Sequence, residues 1–234
     1  MFHAATSRRR RLLGTFDYPM SYRVLEVVST LVFAVLVGVM AVQTARAVGH
    51  HADLDVIVLA LGAGVGALAL ADLMSGVVHF LFDTFGTPDT PVIGRKFVKP
   101  FRDHHDHPGA MTHDDAIAVN ADNLFVCLPV LAAALWLVDL EAHPTVAVFV
   151  LVLVASVALT NQFHKWAHMP VVPRPVAFAQ RHGLILTAQH HDVHHAAPHD
   201  RHHCITFGRM DRVLDIVTVP WTERRRAIRS TPHT

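Results

Sequence analysis

Histidines are the side chains of this sequence best placed to do chemistry, and they gather in four local clusters. The densest is His190-His191-Asp192-Val193-His194-His195, followed by His199, His202 and His203. So many imidazoles in so short a run do not make a packed core. The HxxHH spacing of His191, His194 and His195 converges ring nitrogens on one small volume if the segment is helical. Metal ligation is the chemistry that convergence serves, since imidazole suits zinc, copper, iron and nickel. His164 and His168 stand four apart and stack on one helical face, a spacing by which two imidazoles grip one ion. His104 and His105 belong to Phe101-Arg102-Asp103-His104-His105-Asp106-His107, bracketed by Pro100 and Pro108. Taken alone, that segment reads equally as a metal site or a solvated loop, and His113, followed by Asp114 and Asp115, is a similar case. Finally, Asp72, Gly76, His79 and Asp83 fall on one helical stripe flanked by apolar residues. The stripe is either a polar contact between helices or, the reading favoured here, a titratable functional site at membrane depth.

Eight of these histidines recur in four segments: His79; His104 and His105; His164 and His168; His191, His194 and His195. That exceeds the four ligands of a structural zinc and suits two ions with open positions. Soluble di-iron bundles use Glu and Glu-x-x-His motifs. This chain has only Glu26, Glu141 and Glu223, none three residues before a histidine, so a dinuclear site must be ligated by histidine. Asp72, Asp83, Asp103, Asp106 and Asp192 are candidates to accept the second ring N–H of a ligand. Asn120, Asn123 and Asn161 are candidates to hold a water or a headgroup. His113, His190 and His199 are possible further ligands. His50, His51 and His143 read as solvated residues of short connections, and His3 and His233 as residues of terminal tails.

These clusters need elements to hold them, and the composition says which. The chain has 234 residues, 52% hydrophobic and 17% charged, with a net charge of +1. A soluble domain carries about 25% charged residues. The low charge excludes disorder and argues against nucleic-acid binding, which needs a strongly basic surface. Cys127 and Cys204 form neither a disulfide framework nor a CxxC motif. Four apolar stretches approach or exceed the roughly 20 residues that cross a bilayer: about 22–45, 54–82, 123–138 and 145–163, the third being the shortest. The first is too long and too far from the N-terminus for a signal peptide. The expected fold is all-α, a polytopic membrane protein of about four transmembrane helices with a His-rich cytoplasmic cap. A basic tail over 1–21 precedes the membrane domain over 22–219, and a second basic tail covers 220–234. The stretch from Thr206 to Val219 reads as an interfacial amphipathic helix, with Met210, Val213, Leu214 and Val217 against Arg209, Asp211, Arg212 and Asp215.

Lys and Arg set the orientation. Five lie before the first span, four between the second and third, and ten after the fourth, leaving Arg46 alone on the other side. Both termini are therefore expected to be cytoplasmic, and the histidine clusters with them.

Several ordered motifs then carry a resemblance. Asp72-x-x-Ser75-Gly76-x-x-His79, Pro100-Phe101-Arg102-x-His104-His105, His113-Asp114, Asn120-x-Asp122-Asn123, Asn161-Gln162-x-His164-Lys165-Trp166-x-His168 and His190-His191-x-x-His194-His195-x-x-Pro198-His199 resemble the lipid desaturase domain family. This family includes plasmanylethanolamine desaturases and a plant palmitoyl-lipid desaturase. Cys204-Ile205-Thr206, Gly208 and Leu214-Asp215 fit as well, and the likeness covers about residues 60–217. Two positions depart from the family pattern: His203 stands where an aromatic is usual, and Phe80 where a Trp is frequent.

The resemblance implies an O2-dependent oxidoreductase with two iron ions on the eight histidines named above, and no catalytic residue beyond the metal site. It implies a phospholipid substrate, with a vinyl ether formed in a 1-O-alkyl glycerophospholipid to give a plasmalogen. An acyl-lipid desaturase or hydroxylase with the same site is the alternative. Electrons must come from outside, because no GxGxxG fingerprint is present. A cytochrome b5- or ferredoxin-type donor with its reductase is expected, docking on the basic cytoplasmic face. The setting expected is a bacterial inner membrane. A metal transporter or sensor is a rival class, but it needs ionisable residues at mid-depth on several spans. Spans one, three and four offer none. A structural membrane protein with a vestigial site is a third class.

Overall fold

The computed structural model describes residues 20–230, so the Arg8–Arg11 run, His3 and His233 lie outside the described residues. Eight α-helices lie among the described residues: α1 Met20–His50, α2 Leu54–Thr84, α3 Lys99–Asp106, α4 Ala116–Leu137, α5 Pro144–His168, α6 Arg174–Arg181, α7 Ala188–His195 and α8 Asp211–Ser230. There is no strand among the described residues. Helices α1, α2, α4 and α5 are the four long and apolar enough to cross a membrane. At 31 residues each, α1 and α2 reach about 46 Å at 1.5 Å per residue, well beyond a hydrocarbon core of about 30 Å. Their ends therefore project into polar surroundings, and His79 and Asp83 lie near the end of α2.

Two compact units partition the chain: 1–68 with 109–165, and 69–108 with 166–234. In the first, α1 packs against α4, and Met40, Cys127, Leu131, Ala134, Leu140, Ala147 and Val154 form the core. Most other large apolar side chains of these helices stay uncovered; Leu61 and Val65 are 67% and 66% exposed. In water such a surface would be a liability, and in a bilayer it is the lipid contact.

The third span starts earlier than expected, at Ala116 rather than near 123. Asp115 is the cause. Its side chain accepts the N–H groups of Ile117 and Ala118 at 3.0 and 2.9 Å, capping the helix, and is itself held by Arg23 at 2.7 Å. Asn120 and Asn161, expected at a water or headgroup, instead join helices. Asn120 Nδ2 donates to Gln162 Oε1 at 3.2 Å, and Asn161 Nδ2 to the Val119 carbonyl at 3.0 Å. Span four likewise runs past the expected 163 to His168 and takes both of its histidines into the helix.

The second unit is organised by a strap over residues 203–210 laid along α2. Asp72, 1% exposed, accepts four backbone N–H groups, from Phe207, Gly208, Arg209 and Met210, at 2.7–3.0 Å. One turn on, Ser75 Oγ accepts the Ile205 N–H at 3.0 Å. Gly76 lets the strap approach: a Cβ there would stand 2.5 Å from Cys204 Sγ. Gly208 closes the turn at φ 72°, where a side chain would also strike the His190 ring. The amphipathic helix expected over 206–219 therefore begins only at Asp211, because residues 207–210 spend their N–H groups on Asp72. It continues through the segment expected as a basic tail as far as Ser230.

Candidate metal centre

The second unit brings four chain segments together. The end of α2 supplies His79 and Asp83, α3 supplies His104 and His105, the last turn of α5 supplies His168, and α7 supplies His191, His194 and His195. Pro100 at the start of α3 fits its first turn, where no N–H bond is lost. Thr187 caps α7 by accepting the His190 N–H and so sets the register of the HxxHH run.

Two groups of expected ligand atoms form, beside a third made by His190, His202 and Asp211. In one, His104, His168, His191 and His195 place a nitrogen each within 4.8 Å of the others. The His191 and His195 Nε2 atoms are 3.1 Å apart, and the His168 ring centroid lies 4.6–4.8 Å from those of His104, His191 and His195. His164 sits one turn before His168 on the same helix and is buried. In the other group, Asp83 is surrounded by imidazoles. Its oxygens are 3.3 Å from His79 Nε2, 3.2 Å from His105 Nε2 and 3.4 Å from His194 Nε2.

The ring nitrogens turned away from these groups are also tied. His79 Nδ1 meets the His203 carbonyl at 3.1 Å, and His194 Nδ1 the Arg201 carbonyl at 2.9 Å. A carbonyl accepting at Nδ1 fixes the tautomer that leaves Nε2 as a lone-pair donor, the arrangement metal-ligating histidines use. The Nε2 atoms of His105 and His194 and both Asp83 oxygens are buried and make no hydrogen bond. Such groups are costly to bury without a partner, and a divalent cation satisfies all of them at once. Burial and mutual repulsion also keep the imidazoles neutral, which is the ligating form. His104 is pushed down to about 2 and His195 to about 3, chiefly by desolvation, and His191 lies well below the ordinary value for the same reason.

Other expected site residues have different places. Asp72 binds the strap and not a ligand's ring. His199 Nδ1 lies 3.1 Å from His105 Nδ1 and from the His194 carbonyl, at the edge of the second group. His113 is exposed on a short turn in the first unit and belongs to neither group. His190 is paired with buried Asp211 at 2.6 Å and stacked on His202 at 4.4 Å. The Asp211 hydrogen bond raises its pKa. Asp211 also accepts the Cys204 N–H, and burial pushes the Cys204 thiol far up, leaving it inert.

Sequence reasoning missed Asp211 and the carbonyls of Arg201 and His203. An Asp opening an amphipathic segment was a visible signal for the first. Nothing in a sequence marks which carbonyls a ring will meet. His203 and Phe80, the two departures from the family pattern, touch each other, with ring centroids 5.3 Å apart.

Comparison with known proteins shows the family. Residues 68–231 match the lipid desaturase domain. The chain is 41% identical over 154 residues to a plasmanylethanolamine desaturase of Myxococcus xanthus, covering 65% of this chain and 54% of that protein. It is 38% identical over 164 residues to plasmanylethanolamine desaturase 1 of Mus musculus, covering 67% and 60%. A chloroplastic fatty acid desaturase 4 of Arabidopsis thaliana is 33% identical over 156 residues, covering 65% and 47%. The matched region thus spans about half the length of these curated relatives. No solved structure matches the chain.

Proposed function

The chain belongs to the lipid desaturase family, a multi-pass membrane protein, and from that premise we propose that it desaturates a 1-O-alkyl glycerophospholipid to the vinyl ether of a plasmalogen. The observation that carries the metal assignment is the pair of adjacent groups, one of imidazoles and one of three imidazoles around Asp83. We assign His104, His168, His191 and His195, with His164 from the turn below, to one iron, and His79, His105 and His194 to the other. Asp83, first placed among possible supporting residues, becomes a ligand in this reading. Two irons held there supply dioxygen reduction, in which O2 with two external electrons and two protons becomes two waters as the lipid loses two hydrogens.

The protein's own work is positional. The strap anchored on Asp72 and Ser75 presents the His203 carbonyl to His79, and the turn before it presents the Arg201 carbonyl to His194. The buried imidazoles stay neutral, and the apolar helices bring the lipid. Electrons come from a separate cytochrome b5- or ferredoxin-type protein with its reductase, docking on the cytoplasmic side of a bacterial inner membrane.

Mass spectrometry of lipids from cells expressing the chain, compared with empty cells, tests the reading. A vinyl ether at the expense of the alkyl ether is expected. Loss of two hydrogens only from an acyl chain would replace it by the second reading, an acyl-lipid desaturase, which the likeness to the Arabidopsis protein favours.

A further inference from the structure

A cavity of about 410 Å³ in the second unit opens directly beside the second group of ligand atoms. Asp83 and His105 form one wall, Pro198, His199 and Asp200 another, and α8 closes it with Trp221, Thr222, Arg225 and Arg226. Its charges do not balance. Asp200, buried, is ion-paired with both Arg201 and Arg226. Arg102, which also lines the cavity, gives one N–H to the Gly86 carbonyl at 2.8 Å, while its Nε is buried with no hydrogen-bond partner. Arg225 lies over the rings of Trp221 and Phe85, at 4.7 and 5.5 Å. Neither Arg102 nor Arg225 has a carboxylate partner among the described residues.

Two guanidinium groups without counter-ions in a cavity walled by candidate metal ligands mark an anion site. Guanidinium is the side chain that matches the oxygens of a phosphate. We propose that this cavity holds the phosphate of the lipid substrate, gripped by Arg102 and Arg225. The assignment rests on the function proposed above, and it explains a requirement of that function. The carbons to be desaturated are the first two of the alkyl chain, so only a glycerol backbone separates them from the phosphate. A headgroup site must then lie next to the metals, and this is where the cavity is. Helix α8 supports a lipid source over a free anion. Its residues Leu214 and Thr218 are buried while Ile216 and Val217 are 73% and 70% exposed. The helix that carries Trp221 and Arg225 therefore has an apolar side available to the bilayer surface.

The test uses the full chain, purified with its iron in detergent, and the variant Arg225→Gln, with Arg102→Gln as a second probe. Bound lipid is measured by native mass spectrometry with 1-O-alkyl-2-acyl phosphatidylethanolamine and with the phosphate-free 1-O-alkyl-2-acylglycerol. Either variant should retain the phospholipid about tenfold less at equal iron content, a loss expected for one charge-assisted hydrogen bond. Retention of the phosphate-free lipid should not change, and KM should rise with kcat nearly constant. Equal phospholipid retention by wild type and both variants overturns the proposal. Displacement of the effect by millimolar inorganic phosphate, with no selectivity for the phospholipid, makes this a free-phosphate site and overturns the lipid assignment. A variant slowed only with a protein electron donor, and not with a chemical reductant, makes the arginines a docking contact and also overturns it. Arginine-dependent retention without vinyl ether formation upholds the cavity and defeats the proposed reaction instead.

Discussion

A single ring nitrogen is the smallest unit on which the assignment depends. His191 is 1% exposed and shares its group with His104, His168 and His195. Replacing His191 or His168 by Ala should remove one iron's binding and abolish product, while the protein stays in the membrane fraction. Iron per chain by elemental analysis, beside product yield, checks this; full activity of either variant would end the metal assignment. The same rings set a pH dependence. Folded His104, His195 and His203 lie at about 2, 3 and 4, and the unfolded imidazole near 6.5. Between those values the unfolded chain binds protons that the folded chain refuses. Stability of the metal-free protein should therefore be intact above pH 6.5 and fall as pH drops below it. Metal binding shares the sign, because protons compete for the same nitrogens. Thermal unfolding with and without chelator from pH 8 to 5 should show both, and midpoints that do not fall on acidification would contradict the neutral, buried state. The histidines were legible in the sequence because ligand spacing is local, as in HxxHH. Their division between two groups was not, since His194 and His195 are neighbours in sequence yet serve different groups.

At the scale of elements, the strap on α2 decides whether the rings are held. Asp72 satisfies four N–H groups with one carboxylate, and removing it leaves donors in a mostly buried segment without an acceptor. Asp72→Ala should cost at least about 3 kcal/mol, taking roughly 1 kcal/mol or more per abandoned donor, and should lower iron content as well. Asp72→Asn, which keeps one acceptor oxygen, should lose less. Gly76→Val makes a different demand. Its Cβ would meet Cys204 Sγ at 2.5 Å and Leu214 Cδ2 at 2.7 Å, so strap or helix must shift at a cost of about 1–3 kcal/mol. Denaturation midpoints in detergent separate these variants from wild type; an unchanged midpoint for Asp72→Ala would mean the strap is held by something else. The four long helices could be read from hydropathy, since a continuous apolar run leaves few alternatives. The strap could not. It has no periodicity, its contacts join residues more than a hundred positions apart, and its composition imitated the start of an amphipathic helix. The start of α4 was hidden for a related reason: Asn120, Asp122 and Asn123 interrupt the apolar pattern within what is a single capped helix.

For the whole molecule, the distribution of basic residues makes the strongest demand. Nineteen of the twenty Lys and Arg fall before or in the first turn of α1, in the connection between α2 and α4, or in the last turn of α5 and the region after it. With four spans, those three regions share one side of the membrane, and only Arg46 lies on the other. If any one of the four helices failed to cross, basic regions now together would be placed on opposite faces, against the retention of Lys and Arg in the cytoplasm. The chemistry sets the same condition. The candidate metal ligands come from the ends of α2 and α5 and from the segments that follow them, so the proposed cytoplasmic donor would reach the proposed irons only if those ends face the cytoplasm. Alkaline phosphatase fused after His51 should therefore be active, and the same enzyme fused after Arg174 or at the C-terminus inactive, with a cytoplasmic reporter giving the reverse pattern. Activity of alkaline phosphatase at the C-terminus would invert the orientation and remove the cytoplasmic electron donor from the proposed reaction.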